Sequence, residues 1–358
     1  MVMSKRSPDP ALRKVVRSAG LVYVSDLQPG LTRMRRGKGF VYYNHAGRRV
    51  THPRELARIR KLAIPPAYSK VWICINPRGH LQACGRDARG RKQYRYHPDW
   101  RRLRDHGKFD RVVAFGKALP DLRKRVRHDL ALQGLPCDKV LALVVRLLDE
   151  TLIRVGNESY ARDNQSYGLT TLRSRHLRQE RGRLHFVFTG KSGKKRDVVL
   201  DDKRLIQIIR RVQQLPGQQL FQYLDDDGKR HPIDSTMVNR YLSEAVGNGE
   251  QREFTAKDFR TWGGTVTAAG ILCRTPLPDK GGEKARRAVL ADAIKQVAER
   301  LGNTPAVCRS SYIAPQLLNA WMDGSLNRSI PASAAAHRRQ LERATLRFLK
   351  KALQGSGS

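Results

Sequence analysis

Apolar residues along this chain change their spacing near position 109. Before it, short β-favouring runs at 21–25, 40–44, 71–76 and 81–84 are separated by Gly, Pro and Asn signals, which predicts the strands of a small sheet, with a basic helix at 53–62 among them. Beyond it, apolar positions recur three and four apart over 122–132 and 139–153, where Leu141, Leu143, Val144, Leu147 and Leu148 would form one buried helical stripe. Strand-type runs return at 168–172, 184–189 and 197–200, with Gly190, Lys191, Ser192 and Gly193 at the turn between the last two. Helical spacing resumes at 202–213, 235–246, 256–272 and 285–301. The Ala- and Arg-rich sequence after Ser329 predicts a helical tail ending in disordered Gly and Ser residues. The charged, Gly-containing stretch 101–108 is the expected hinge. The reading is therefore α+β: a small β-rich N-terminal domain over 1–105, a mainly helical domain over 106–328 with a small β-sheet insertion, and a helical or disordered tail over 329–358.

Charge adds a partner to this outline. The 358 residues are 40% hydrophobic, enough for two separate cores, yet 70 Lys and Arg stand against 32 Asp and Glu, a formal net charge of +38. The basic residues run from Lys5 to Lys351, so no single tail accounts for the excess. A distributed charge of this size repels itself and is best offset by a polyanion that releases counterions on binding, so nucleic acid is the expected partner. No apolar run approaches the roughly 20 residues that cross a bilayer, and the N-terminus opens on polar sequence; a cytoplasmic, and in a bacterium nucleoid-associated, protein with no membrane partner is expected. Five scattered cysteines (Cys74, Cys84, Cys137, Cys273, Cys308) suggest reduced, buried thiols, and neither they nor the ten histidines show metal-ligand spacing.

The acids near the basic clusters are too sparse to hold Mg²⁺, and the one dense run, Asp225 to Asp227 ahead of Gly228, has the composition of a solvated turn. No phosphate loop of the Lys-Ser/Thr type is present. What remains is phosphoryl transfer run by fixed cations, in which arginine forks hold the non-bridging oxygens of a phosphodiester. Candidates are Arg154 in Leu152-Ile153-Arg154-Val155-Gly156-Asn157, Arg260 in Lys257-Asp258-Phe259-Arg260-Thr261-Trp262-Gly263, Lys191 in Phe188-Thr189-Gly190-Lys191, and Tyr312 at the end of Gly302-Asn303-Thr304-Pro305-Ala306-Val307-Cys308-Arg309-Ser310-Ser311-Tyr312.

These segments, together with Tyr160, Asn164 and Tyr167-Gly168-Leu169-Thr170-Thr171-Leu172, resemble in order the motifs of type IB DNA topoisomerases, in the compact form shared by poxviruses and many bacteria. The likeness extends from about Tyr23 to Leu326. It implies a tyrosine recombinase/type IB topoisomerase fold that closes on double-stranded DNA as a C-shaped clamp, acting as a monomer without cofactor, ATP or metal. It further implies that positive and negative supercoils are relaxed through a transient 3′-phosphotyrosyl bond. Tyr312 is then the nucleophile, Arg154 and Arg260 clamp the scissile phosphate, and Lys191, carried into the minor groove by its hairpin, protonates the departing 5′ oxygen with help from Arg154. Lys257 assists at the same phosphate. One position departs from the viral pattern: at 303, where viral and eukaryotic relatives carry histidine, this chain has asparagine, and no histidine occurs between His231 and His337. Asn303 can donate a hydrogen bond but not exchange a proton, so its role is transition-state stabilisation.

The resemblance also makes 1–105 a DNA-binding domain and 106–328 the catalytic one. In the interleaved run Arg91-Lys92-Gln93-Tyr94-Arg95-Tyr96, Arg91, Gln93, Tyr94 and Tyr96 are the expected contacts to bases and backbone in the major groove, Gln93 being able to read adenine bidentately. Asn157 and Tyr160 are expected on phosphates beside the cut, while Ile64-Pro65-Pro66-Ala67-Tyr68 reads as structural. The alternatives are a tyrosine recombinase, whose second arginine box usually opens with His where this chain has Lys257, and a non-catalytic DNA-binding protein.

Overall fold

The computed structural model describes residues 10–88, 90–246, 254–278 and 280–354. The chain divides into two compact units, Met1–Lys108 and Phe109–Ser358.

The first unit is built on one antiparallel sheet. Its elements are α1 (Pro10–Ser18), β1 (Leu31–Arg36), β2 (Gly39–Tyr43), α2 (Pro53–Lys61), β3 (Ser69–Ile73), β4 (Leu81–Arg86), β5 (Lys92–Tyr96) and the start of α3 (Pro98–Asp129), with strands in the order β2-β1-β3-β4-β5. Ile59 of α2 buries against Leu31, Val71, Ile73 and Ala83 of the sheet. The Ile64 to Tyr68 segment is structural, as read from sequence: the Arg33 guanidinium donates to the carbonyls of Ile64 (3.1 Å), Pro65 (3.0 Å) and Tyr68 (2.6 Å), satisfying a turn whose prolines lack N–H groups.

One expectation fails here, and one strand was not foreseen. Residues 21–25 form no strand, only a single bridge from Val22 to Gly79, because the run has no extended neighbour to complete a ladder. Conversely β1, with its Arg-rich LTRMRR sequence, is a strand despite three cations, since only Leu31 needs a buried side. The stretch 101–108, read as the hinge, is helical and belongs to the 32-residue α3, and the first unit ends at Lys108. Its Arg and Leu residues are good helix formers, and one interior glycine weakens a helix by only about 1 kcal/mol.

The second unit is mainly helical: α4 (Cys137–Thr151), α5 (Glu158–Asn164), the strands β6 (Leu177–Glu180), β7 (Arg183–Thr189) and β8 (Lys195–Leu200), α6 (Lys203–Gln213), a two-stranded ribbon of β9 (Gln222–Leu224) and β10 (Arg230–Pro232), then α7 (Ser235–Ala245), α8 (Ala256–Leu272), α9 (Gly282–Leu301), α10 (Pro305–Ser311), α11 (Pro315–Met322), α12 (Leu326–Ser329) and α13 (Arg338–Gln354). The stripe expected on α4 is buried together with nearly every other residue from Val140 to Leu148, because the helix is packed on more than one side. Helix α8 is central and meets α4, α7, α9, α11 and α13. Its Gly263, Gly264, Ala268, Ala269 and Gly270 let those neighbours approach. The Asp225 to Asp227 run is the turn of the β9–β10 ribbon, closed by Gly228 N–H to Asp225 O at 2.9 Å. Among the described residues no helix is long and apolar enough to cross a membrane.

The three-stranded insertion (order β6-β7-β8) differs from the sequence reading in its first strand, which is 177–180 rather than 168–172. Residues Leu169–Thr171 instead make a tight turn against the residues after α4. There Leu169 and Thr170 donate to the carbonyls of Arg154 (2.8 Å) and Val155 (2.7 Å), so their extended-looking composition is spent on a clamp rather than a ladder.

Candidate active site

Four of the six residues expected to carry chemistry converge in the helical unit. Helix α4 ends at Leu152 in the left-handed conformation (φ 55°), which turns the chain so that Arg154 emerges beside the N-terminal half of α8. The Tyr167 to Leu172 segment holds that emergence in place through the Arg154 and Val155 carbonyls. A Cβ at Gly168 would stand 2.6 Å from Arg154 O, so only glycine permits the contact.

Arg260 lies on α8 and is only 3% exposed. Its guanidinium donates to the Leu152 carbonyl and, at 2.9 Å, to the Leu301 carbonyl, while Nε has no partner among the described residues. The same group sits 5.0 Å from the centre of the Tyr312 ring. Two main-chain carbonyls thus fix the fork without neutralising it, leaving a buried positive charge against the phenol.

Tyr312 caps the C-terminus of α10, a helix opened by Thr304 and Pro305. Its carbonyl accepts from Thr265 Oγ1 of α8 at 3.2 Å, and the Thr265 hydroxyl oxygen in turn accepts from Ala314 N–H at 3.2 Å, so one buried threonine fixes the backbone on both sides of the tyrosine. Gly264 makes this possible, since a Cβ there would lie 2.7 Å from Tyr312 O. Burial by itself pushes the phenol pKa up, yet the charges of Arg260, Arg154 and Lys257 outweigh it and hold Tyr312 below the ordinary phenol value.

Asn303 is 8% exposed and accepts from Arg154 Nη2 through Oδ1. That assignment leaves Nδ2, a donor, buried without a partner among the described residues. Burial, with the Arg260 charge added, pushes the Arg154 guanidinium down to about 10, which still leaves it cationic at neutral pH. Two arginines, an unsatisfied amide donor and a phenol of lowered pKa in one place are a set of groups that can hold an anion beside a nucleophilic oxygen.

Lys257 lies exposed in the first turn of α8 and reaches the phenol through its field. Beside it Asp258 closes a capping box with Thr255 and receives Arg111 of α3 bidentately at 2.7 Å, which fixes the start of α8. Lys191 stands exposed at the β7–β8 turn, and its ammonium has no hydrogen bond to the described residues. The hairpin is nevertheless anchored here: Lys194 Nζ donates to Asn303 O at 2.8 Å, and Arg196 to the carbonyls of Glu299 (3.0 Å) and Arg300 (2.9 Å). Neither was singled out from sequence. Their alternation with outward Lys195 in a strand was the available signal.

The residues expected to touch DNA are placed separately. Asn157 caps α5, accepting from Ser159 Oγ (2.7 Å) and Tyr160 N–H (3.2 Å), and Tyr160 is 44% exposed. In the first unit Arg91 (Nε, 2.9 Å) and Gln93 (Nε2, 3.0 Å) both donate to Asp87 Oδ2. On β5, Gln93 faces away from Tyr94 and Tyr96, whose rings stack at 6.0 Å. Tyr96 packs against Val24, Cys74 and Leu81, which leaves Tyr94 the exposed member of the pair.

Two family models match this sequence. Residues 97–323 match the catalytic core of eukaryotic DNA topoisomerase I, and residues 39–87 the N-terminal domain of bacterial DNA topoisomerase IB. Among individual proteins, DNA topoisomerase 1B of Acanthamoeba polyphaga mimivirus is 33% identical over 302 residues, covering 83% of this chain and 89% of that protein. DNA topoisomerase 1B of Vaccinia virus (strain Copenhagen) is 25% identical over 267 residues, 72% of this chain and 76% of its own length.

Proposed function

Because the chain belongs to the type IB DNA topoisomerases, we propose that Tyr312 is the nucleophile with which it cuts one strand of duplex DNA, and that Arg154, Arg260, Asn303, Lys257 and Lys191 serve that step. The observation that carries the reading is the buried Arg260 guanidinium lying 5.0 Å from the Tyr312 ring with two carbonyls orienting it.

The chemistry follows from that arrangement. Tyr312 loses its proton to solvent, and the phenolate oxygen attacks phosphorus in line. The Oη–P bond forms as the P–O5′ bond breaks, and Lys191 supplies the proton that the departing 5′ oxygen takes up. Charge gathers on the non-bridging oxygens, where the forks of Arg154 and Arg260 and the free N–H of Asn303 can receive it. A phenol with a pKa near 10 leaves more readily than an alkoxide, so the phosphotyrosyl bond conserves the reactivity needed for resealing by the freed 5′ hydroxyl. No ATP is needed, and the nicked duplex can turn to lose supercoils of either sign before it is closed. Both units hold the duplex in this proposal, the first through Tyr94, Gln93 and Arg91, the second through Asn157 and Tyr160, and one copy of the chain suffices. If bacterial, such an enzyme works at the nucleoid.

The test is relaxation of a supercoiled plasmid in EDTA and without nucleotide. The wild type should relax it fully, and Tyr312→Phe should bind the plasmid but leave it supercoiled. Relaxation by the Phe variant would overturn the assignment.

A further inference from the structure

The C-terminal end of α9 is where the elements of the site meet, and its carbonyls show how. A helix leaves its last four carbonyls without intrahelical partners. Here Gly302, at φ 61°, turns the chain so that its N–H and that of Asn303 return to Glu299 O (3.1 Å) and Ala298 O (2.9 Å). Three of the last four carbonyls, and that of Asn303 beyond the helix, also accept from cations of two other elements. Arg196 of β8 reaches those of Glu299 and Arg300, Arg260 of α8 that of Leu301, and Lys194, just before β8, that of Asn303 itself. The negative end of the α9 dipole favours this placement.

Lys194 and Arg196 are two residues apart and therefore share a face of the hairpin, while Lys195 points away and is exposed. Both follow directly on the turn that carries Lys191, where Ser192 and Gly193 adopt φ values of 67° and 73°. The Gly190 N–H closes that turn on Lys194 O at 2.8 Å. Without a tether, such a turn would be free to lift. The fit is close, since a Cβ on Gly302 would lie 2.4 Å from Arg196 Nη1.

We propose that Lys194 and Arg196 are positioning residues for DNA cleavage: by pinning the hairpin to the α9 end and to Asn303, they set the place of Lys191 relative to Tyr312. The proposal rests on the reading of Lys191 as the general acid. It goes beyond that reading because neither Lys194 nor Arg196 touches the reacting atoms. Its physical content is that an acid must be in hydrogen-bond reach of the leaving oxygen, so that a shift of about 1 Å in the turn can reduce the rate by up to roughly 100-fold.

A leaving group that needs no proton isolates this role. A duplex carrying sulfur in place of the bridging 5′ oxygen at the cut departs as a thiolate, whose conjugate acid has a pKa near 8.5, and requires no general acid. Single-turnover cleavage of oxygen and sulfur substrates should be compared for wild type, Lys191→Ala, Arg196→Gln, Arg196→Lys and Lys194→Met. On the oxygen substrate Arg196→Gln and Lys194→Met should be slower by about 10- to 100-fold, and Arg196→Lys, which keeps a cation but not the fork, by less. On the sulfur substrate all of them, Lys191→Ala included, should return to within a few-fold of wild type. If Lys191→Ala is rescued by sulfur but the Arg196 and Lys194 variants are not, the positioning proposal is overturned and the acid assignment stands. If Lys191→Ala itself is not rescued, the acid assignment fails and the proposal with it. Arg196→Lys keeps the test open should Arg196→Gln fail to fold.

Discussion

At the scale of single residues, the proposed chemistry turns on charge placed beside a phenol. The field of Arg260, Arg154 and Lys257 holds the Tyr312 pKa down against burial, so phenolate is available at a lower pH than for a free tyrosine. Cleavage by the wild type should therefore rise with pH and level off below the ordinary phenol value. Lys257→Met removes one of those charges without opening the core, and should move the midpoint of the profile to higher pH; an unchanged profile would show that Lys257 does not act on the nucleophile. Asn303 is a second case. With Oδ1 committed to Arg154, its buried Nδ2 has a donor to give, so Asn303→Ala should slow single-turnover cleavage by roughly 10- to 100-fold, whereas Asn303→His, which keeps a donor, should retain it. Complete loss in the His variant would contradict the donor role. These residues were legible in sequence only through their motifs. No composition argument separates Arg260 from its many fellow arginines; what distinguishes it is burial with two carbonyl acceptors, which only the fold supplies.

At the scale of elements, helices were easier to read than strands. The apolar period of α4, α6, α8 and α9 is set by burial of a face or of the whole helix, and survives in the sequence. Strand β1 hides under three cations, and the 168–172 run has strand composition but serves as a clamp on the Arg154 turn. The anchoring of the β7–β8 hairpin was equally hidden, because Lys194 and Arg196 look like surface charges until the end of α9 is brought to them. Helix α8 offers a test in which local and tertiary effects oppose. Gly264→Ala should stabilise an isolated helix by about 1 kcal/mol, but in the protein the new Cβ would stand 2.7 Å from Tyr312 O and 3.1 Å from Tyr312 Cβ. The Tyr312 segment must move away. Cleavage should fall at least about tenfold while thermal unfolding stays cooperative and circular dichroism stays native. Wild-type cleavage in this variant would mean that α8 does not set the place of Tyr312.

At the scale of the molecule, a chain of net charge +38 must offset its own repulsion, and it does so partly with buried acids that gather arginines. Asp149 of α4, 4% exposed, receives Arg123 of α3 at 2.8 Å and Arg338 of α13 at 2.5 Å, and Arg123 also meets Glu342 of α13 at 2.6 Å. The tail helix is thus stitched to the core. Burial pushes the Asp149 carboxyl up, but the arginines outweigh it and hold it below the usual carboxylate range. A carboxylate depressed on folding adds stability that is fully present above its unfolded pKa, near 3.9, and is lost as pH falls through the folded value. Asp149→Asn should therefore destabilise the protein by roughly 3–5 kcal/mol at neutral pH, and by progressively less in acid, as chemical unfolding across pH would show. A constant difference at all pH values would remove Asp149 from that role. Cleavage by Tyr312 is tested most directly by mapping the covalent adduct. A duplex labelled separately at its two ends is mixed with the enzyme, the complex is trapped with denaturant, and the attached peptide is sequenced. A single adduct joining Tyr312 to the 3′ phosphate of the cut strand is expected, with a free 5′ hydroxyl on the other fragment, and no adduct with Tyr312→Phe although that variant still binds DNA. Attachment at a 5′ phosphate, or to a residue other than Tyr312, would contradict it.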